Sequence, residues 1–158
     1  PGFLSNFGVL ANATFIDSSA TYGVVGPSTL VCATVTTCRL VAPSAVQRAT
    51  TLFGLSKKAY NGTLYYEDSK FSARASVSYR DPYVDANSGT GNVFEGYDST
   101  INVDASVRYK LTENLELSVQ GVNLTDDYRY RYTDLDAQRN YENNHFGRTI
   151  LFGARFKM

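Results

Sequence analysis

Between positions 128 and 145 the chain reads YRYRYTDLDAQRNYENNH, a run in which tyrosine and arginine interleave. Tyr128, Tyr130, Tyr132 and Tyr141 offer flat aromatic faces suited to sugar rings or catechols. Arg129, Arg131 and Arg139 offer guanidinium forks that match a carboxylate or a phosphate, and Arg80 in the earlier stretch YRDPY adds another. These seven positions, Arg80, Arg129, Tyr130, Arg131, Tyr132, Arg139 and Tyr141, are the candidate ligand-binding residues. The bland reading of the run, as the wet upper ends of two strands, overlaps with this one, because protruding strand ends can themselves form a binding mouth.

Catalysis finds little to stand on. The sequence has no GxSxG, no HExxH and no P-loop, and GTGNVFEG at 89–96 lacks GxGxxG spacing and reads as a loop. A Ser-His-acid arrangement would have to use the single His145, and a lone loop histidine is usually solvated. No catalytic residue, no enzyme activity and no cofactor are expected. Asp126, Asp127, Asp134 and Asp136 lack the spacing of a calcium loop, and one histidine with two cysteines is a poor set for a closed zinc site, so no metal is expected. Cys32 and Cys38, six residues apart in VCATVTTCRL, read in preference as a loop disulfide formed in an oxidising compartment, with two free thiols as the alternative.

The elements that position these residues follow from composition and periodicity. The chain has 158 residues, of which 43% are hydrophobic and 19% charged; twelve Tyr and nine Phe against one Met bias it toward strands. Fifteen basic and fifteen acidic residues cancel, so no global field favours nucleic acid, and none is expected as a partner. No stretch approaches the roughly 18 apolar residues of a spanning helix.

Six segments alternate with a period of two, the signature of an amphipathic strand. They are FGVLANATFI (7–16), AYNGTLYY (59–66), FSARASVSYRD (71–81), STINVDASVRYKL (99–111), LELSVQG (115–121) and RTILFGARFKM (148–158). In the third, Phe71, Ala73, Ala75, Val77 and Tyr79 share one face and Ser72, Arg74, Ser76, Ser78 and Arg80 the other. In the fourth, Ile101, Val103, Ala105, Val107 and Tyr109 oppose Asn102, Asp104, Ser106 and Arg108. After Gly121 the parity breaks, since Asn123 would join the apolar row; a bulge or the end of the strand is expected near GVNLTDD.

Connections alternate in length. EDSK (67–70) and TEN (112–114) are short turns, whereas 18–53, 81–98 and 126–145 are long loops. Short turns at one end and long loops at the other are the pattern of an up-and-down outer-membrane barrel, and such loops are unusual in a compact soluble domain. The expectation is an all-β, antiparallel up-and-down transmembrane β-barrel segment with the apolar face toward lipid. The alternatives are a small structural or adhesive outer-membrane barrel and a soluble β-sandwich binding module.

The stretches GLSKKAYNGTLYYEDSKFSARASVSYRDPYV, STINVDASVRYKLTENLELSVQGVNLTDDY and GRTILFGARFKM resemble the C-terminal part of TonB-dependent outer-membrane receptors. Residues 53–158 carry most of the resemblance, with the order GLSK, YYE, YRD, NLTDDY and the closing alternation as its most specific parts; Met158 departs from the terminal aromatic of that family. The resemblance implies a plugged barrel of 22 strands, of which this chain would supply about six at the C-terminal end, the plug being absent. It further implies residence in the bacterial outer membrane and uptake of a scarce ligand, a siderophore, cobalamin or an oligosaccharide. The implied partners are the lipid bilayer, the plug and remaining strands of the same receptor, and the TonB complex acting through that plug.

Overall fold

A computed structural model describes residues 2–24, 28–41, 46–86 and 94–158. Positions 89–93 of the glycine-rich stretch lie outside the described residues. Among the described residues fourteen strands follow a single 3-10 turn at Phe3–Asn6. They are β1 (Phe7–Phe15), β2 (Ala20–Val24), β3 (Thr29–Thr34), β4 (Thr37–Val41), β5 (Val46–Thr50), β6 (Lys58–Glu67), β7 (Phe71–Arg80), β8 (Tyr83–Ala86), β9 (Glu95–Tyr97), β10 (Thr100–Lys110), β11 (Leu115–Val122), β12 (Tyr128–Thr133), β13 (Arg139–His145) and β14 (Thr149–Phe156). The chain is all-β and its paired strands are antiparallel.

The six alternating segments become the six strands of one sheet, ordered β1-β6-β7-β10-β11-β14. Register keeps the parities in phase from strand to strand. Val9 pairs with Leu64, Leu64 with Ala75, Ala75 with Ala105, Ala105 with Gly121 and Gly121 with Ile150. One residue along, Tyr65 pairs with Arg74, Arg74 with Ser106, Ser106 with Gln120 and Gln120 with Leu151. One face is therefore apolar across the sheet apart from Lys58 at its end, and the other carries Arg74, Arg80, Asp104, Arg108, Glu116 and Arg155, with Leu10, Tyr65, Val122 and Leu151 as large apolar exceptions. Tyr65 is accommodated because it lies over Gly8, where an added Cβ would come within 2.1 Å of its ring.

Among the described residues nothing covers the apolar face. Phe152 is 81% exposed, Val9 71% and Ile150 58%. The accessible area of the chain is 11179 Å², whereas a compact monomer of 17.4 kDa has about 7,900 Å². Aromatic side chains border this face at both ends. Phe15, Tyr60 and Tyr79 form a row near the long loops, with ring centroids 5.7 and 5.9 Å apart. Phe7, Tyr66 and Phe71 form another near the short turns, at 4.9 and 5.9 Å. Among the described residues no helix is long and apolar enough to cross a membrane, which bears only on helical crossing.

The turn between β6 and β7 is fastened by Asp68, whose Oδ1 accepts from the amides of Lys70 and Phe71 at 2.8 and 2.7 Å. These two backbone donors, joined by the Tyr66 hydroxyl, hold the Asp68 carboxyl below its ordinary pKa. At the opposite end β11 stops at Val122, where the sequence parity fails, and Asn123 turns the chain at φ 53°.

All three long loops carry strands of their own; the sequence reading allowed for this only in the third, where 128–145 could be the upper ends of two strands. In the first, β2 pairs with β5 and β3 with β4, and Cys32 and Cys38 face each other across the latter hairpin as a disulfide with Cα–Cα 3.9 Å. The second and third loops combine into a sheet ordered β13-β12-β9-β8. This cap holds the buried hydrophobic residues of the described chain: Phe94 at 2% exposure, Val84 at 4% and Tyr132 at 8%. The first loop joins it through Tyr22 and Phe53, stacked at 4.2 Å with Tyr22 6.0 Å from Phe94, and through an Arg48–Asp136 ion pair at 3.0 Å.

Candidate ligand pocket

Local pairing separates the arginines of the YRYRY run into two kinds. Arg131 on β12 lies opposite Tyr97 of β9 and Glu142 of β13. Its Nη2 reaches Glu95 Oε2 at 2.7 Å and Asp85 Oδ2 at 3.9 Å, and its Nη1 reaches Glu142 Oε2 at 3.7 Å. Desolvation opposes the Arg131 charge, but Tyr97, Glu95, Asp85 and Glu142 outweigh it and raise the pKa. Arg131 thus ties β8, β9, β12 and β13 together. Two positions earlier the register runs past the end of β9, and Arg129 faces the neutral Asn144. Its guanidinium lies 4.1 Å from the centroid of the Tyr97 ring, and it forms no ion pair among the described residues.

The remaining candidates scatter. Tyr132 is buried against the cap, in contact distance of Gly96, where an added Cβ would lie 2.4 Å from both the Tyr132 hydroxyl and the Tyr83 carbonyl oxygen. Burial, reinforced by Asp98, raises the Tyr132 pKa. Tyr130 stacks at 5.8 Å on Tyr128, which stacks at 4.1 Å on His145. His145 Nε2 in turn lies 2.9 Å from Asp126 Oδ1. Tyr141 sits beside Arg131 at 5.6 Å, and Arg139 is exposed at the start of β13.

Arg80 ends β7 on the polar face and bridges into the first loop. Its Nε donates to Ser56 Oγ at 2.7 Å and its Nη2 to the Gly54 carbonyl at 2.5 Å, while its guanidinium covers Tyr83 at 3.8 Å. Tyr83 and Tyr97 rings are 5.3 Å apart. The result is a continuous stack, Arg80–Tyr83–Tyr97–Arg129, built from three separated parts of the chain.

This stack walls a pocket of about 320 Å³ at the junction of the polar face and the cap, with Tyr128 and Phe146 as further aromatic surfaces and Asn102, Asn123 and Asp127 among its polar groups. The turn that carries the last two is pinned to β10: Asp127 Oδ2 accepts from the Ile101 amide at 2.7 Å, and Asn123 Oδ1 from the Asp127 amide at 3.0 Å. Asn123 Nδ2 donates to the Gly147 carbonyl at 3.1 Å. The arrangement provides ring surfaces, one guanidinium resting over a tyrosine ring and unpaired among the described residues, and fixed amide and carboxylate groups. That is equipment for binding a small polar ligand.

Of the seven sequence candidates the structure brings Arg80 and Arg129 into this pocket; Tyr83, Tyr97, Asn102, Asn123, Asp127 and Phe146 were not singled out as ligand contacts. Asn102 could have been found from its place near the loop end of the polar row, whereas Tyr83 and Tyr97 sit at the edges of a loop without alternation. No cluster of three potential metal ligands exists among the described residues. Comparison with protein-family models, with curated proteins and with solved structures finds no match.

Proposed function

We propose that this chain forms part of the wall of an outer-membrane β-barrel of the TonB-dependent receptor type, taking up a scarce ligand that first binds on the long-loop side. The observation that carries the reading is the in-phase register of six strands, which gives one uncovered apolar face bordered by two aromatic rows. In water such a face would have to be covered by a second layer, and among the described residues none lies on it. In a bilayer the same face meets acyl chains and the aromatic rows meet the headgroups. From Phe71 to Tyr79 the strand covers roughly 26 Å, which at the ~40° tilt of such barrels projects to about 20 Å, the scale of their ~25 Å apolar band.

Among the described residues no further strand pairs with the edges of the sheet, β1 and β14. Open edges cannot be satisfied in lipid, so in this reading further strands of the same receptor pair with them and close the barrel. The polar face then lines the lumen, where a plug would meet the row of arginines and acids. The ligand is held in the pocket by binding groups alone, and energy for its passage comes from the TonB complex acting on the plug. This reading gives the chain a transport role without a catalytic step.

The test is the behaviour of the complete receptor carrying this segment. Extraction from membranes should require detergent, and the folded protein should migrate faster on a gel than its boiled form. A protein that stays monomeric in detergent-free buffer and shows one mobility heated or unheated would overturn the membrane reading.

A further inference from the structure

Resting on that reading, we infer that the pocket between the polar face and the cap is a binding site for an acidic saccharide: a hydroxylated ring bearing a carboxylate, which Arg129 receives. Four observations support this. Arg129 is the pocket guanidinium with no hydrogen-bonded or ionic partner among the described residues, while Arg80 is occupied by Ser56 and Gly54. Arg129 lies over the Tyr97 ring at 4.1 Å with its N–H donors unpaired among the described residues, and a guanidinium can take a carboxylate by two parallel hydrogen bonds. Phe146, 72% exposed, supplies a flat surface on which the apolar face of a sugar ring can lie. Asn102 and the second carboxylate oxygen of Asp127, held in place by the Asn123 turn, supply a donor and acceptors for hydroxyls, and Asp127 would also repel a second anionic group.

A bare oxyanion suits the pocket less well. Four aromatic rings line it, and the Asp127 carboxylate lies in the same wall as Arg129, which denies it a strong positive field. The local guanidinium therefore selects a carboxylate carried on a ring, rather than concentrating anions in general. Arg80 is a positioning residue, holding Tyr83 and through it the Tyr97 ring on which Arg129 rests.

The complete receptor in detergent is titrated calorimetrically with digalacturonate, with a neutral disaccharide of the same length, and with inorganic phosphate. Digalacturonate is expected to bind at least tenfold more tightly than either of the others. Arg129→Gln should reduce that affinity about ten- to a hundredfold, and Arg129→Lys should fall between. Arg39→Gln, in the exposed β4 strand of the first loop, serves as the control and should match the parent. Equal affinity for charged and neutral disaccharides, phosphate binding as tight as digalacturonate, or an undiminished Arg129→Gln variant would each overturn the inference. So would the absence of all binding to a receptor that is detergent-dependent and heat-modifiable, an outcome that leaves the barrel reading standing.

Discussion

Arg74 and Val103 project from opposite faces of one sheet: Val103 pairs with Val77, and Arg74, three residues before Val77, pairs with Ser106. A one-residue slip between β7 and its neighbours would put Arg74 on the apolar face, at a cost of roughly 2–4 kcal/mol in lipid. The charge therefore acts as a register lock.

Replacing Val77 with Arg places a cation on the apolar face among Gly62, Val103 and their neighbours. In lipid vesicles this variant is expected to lose about 2–4 kcal/mol of unfolding free energy in denaturant titration. Ser78→Arg, one residue along on the polar face, should change it by no more than about 0.5 kcal/mol.

The turn at Asp68 gives a pH prediction. Its carboxyl pKa is lowered in the folded chain by the Lys70 and Phe71 amides, so the ionised form is favoured by folding. The contribution is present above the ordinary carboxylate range and is lost as pH falls through the lowered value. Asp68→Asn should thus loosen the β6–β7 turn at neutral pH, read as faster amide exchange of Lys70 and Phe71, and the difference from the parent should vanish in acid.

Gly96 allows the cap to close, because Tyr132 and the Tyr83 carbonyl approach where a Cβ would stand. Gly96→Ala is expected to destabilise the cap by about 1–3 kcal/mol, seen as earlier proteolysis of the loops, with the six-stranded sheet intact.

The Cys32–Cys38 bond closes a short hairpin with a sequence separation of 6. Loop-closure entropy puts its worth at about 2 kcal/mol, and the effect is local. Reduction should raise amide exchange across β3 and β4, with no change in β6, β7 or β10.

Why the sheet was legible and the pocket was not can be argued from particular residues. In β10, Ile101, Val103, Ala105 and Val107 alternate with Asn102, Asp104 and Ser106, and because both faces of the strand meet contrasting environments, the period of two is written into the sequence itself. The strands of the loops carry no such contrast: TLVCAT and TCRLV pair as a hairpin exposed on both sides, and EGY is three residues long. The YRYRY run advertised binding chemistry, but Arg129 and Arg131 are equivalent in sequence. What separates them is that β9 ends opposite Arg131 and brings Glu95 to it, a fact of pairing between residues 36 apart. Tyr83 and Tyr97 likewise matter only because Arg80 and Arg129 come to lie on them.

The central claim, that the apolar face of the six-stranded sheet meets lipid, is tested most directly by single cysteines placed along β10 from 101 to 107 in the vesicle-embedded receptor. Each is labelled with a small fluorophore and quenched by nitroxide on the acyl chains or by iodide in the water. Lipid quenching is expected at Ile101, Val103, Ala105 and Val107, and iodide quenching at Asn102, Asp104 and Ser106. Odd positions shielded from both quenchers, or quenching without a period of two, would contradict it.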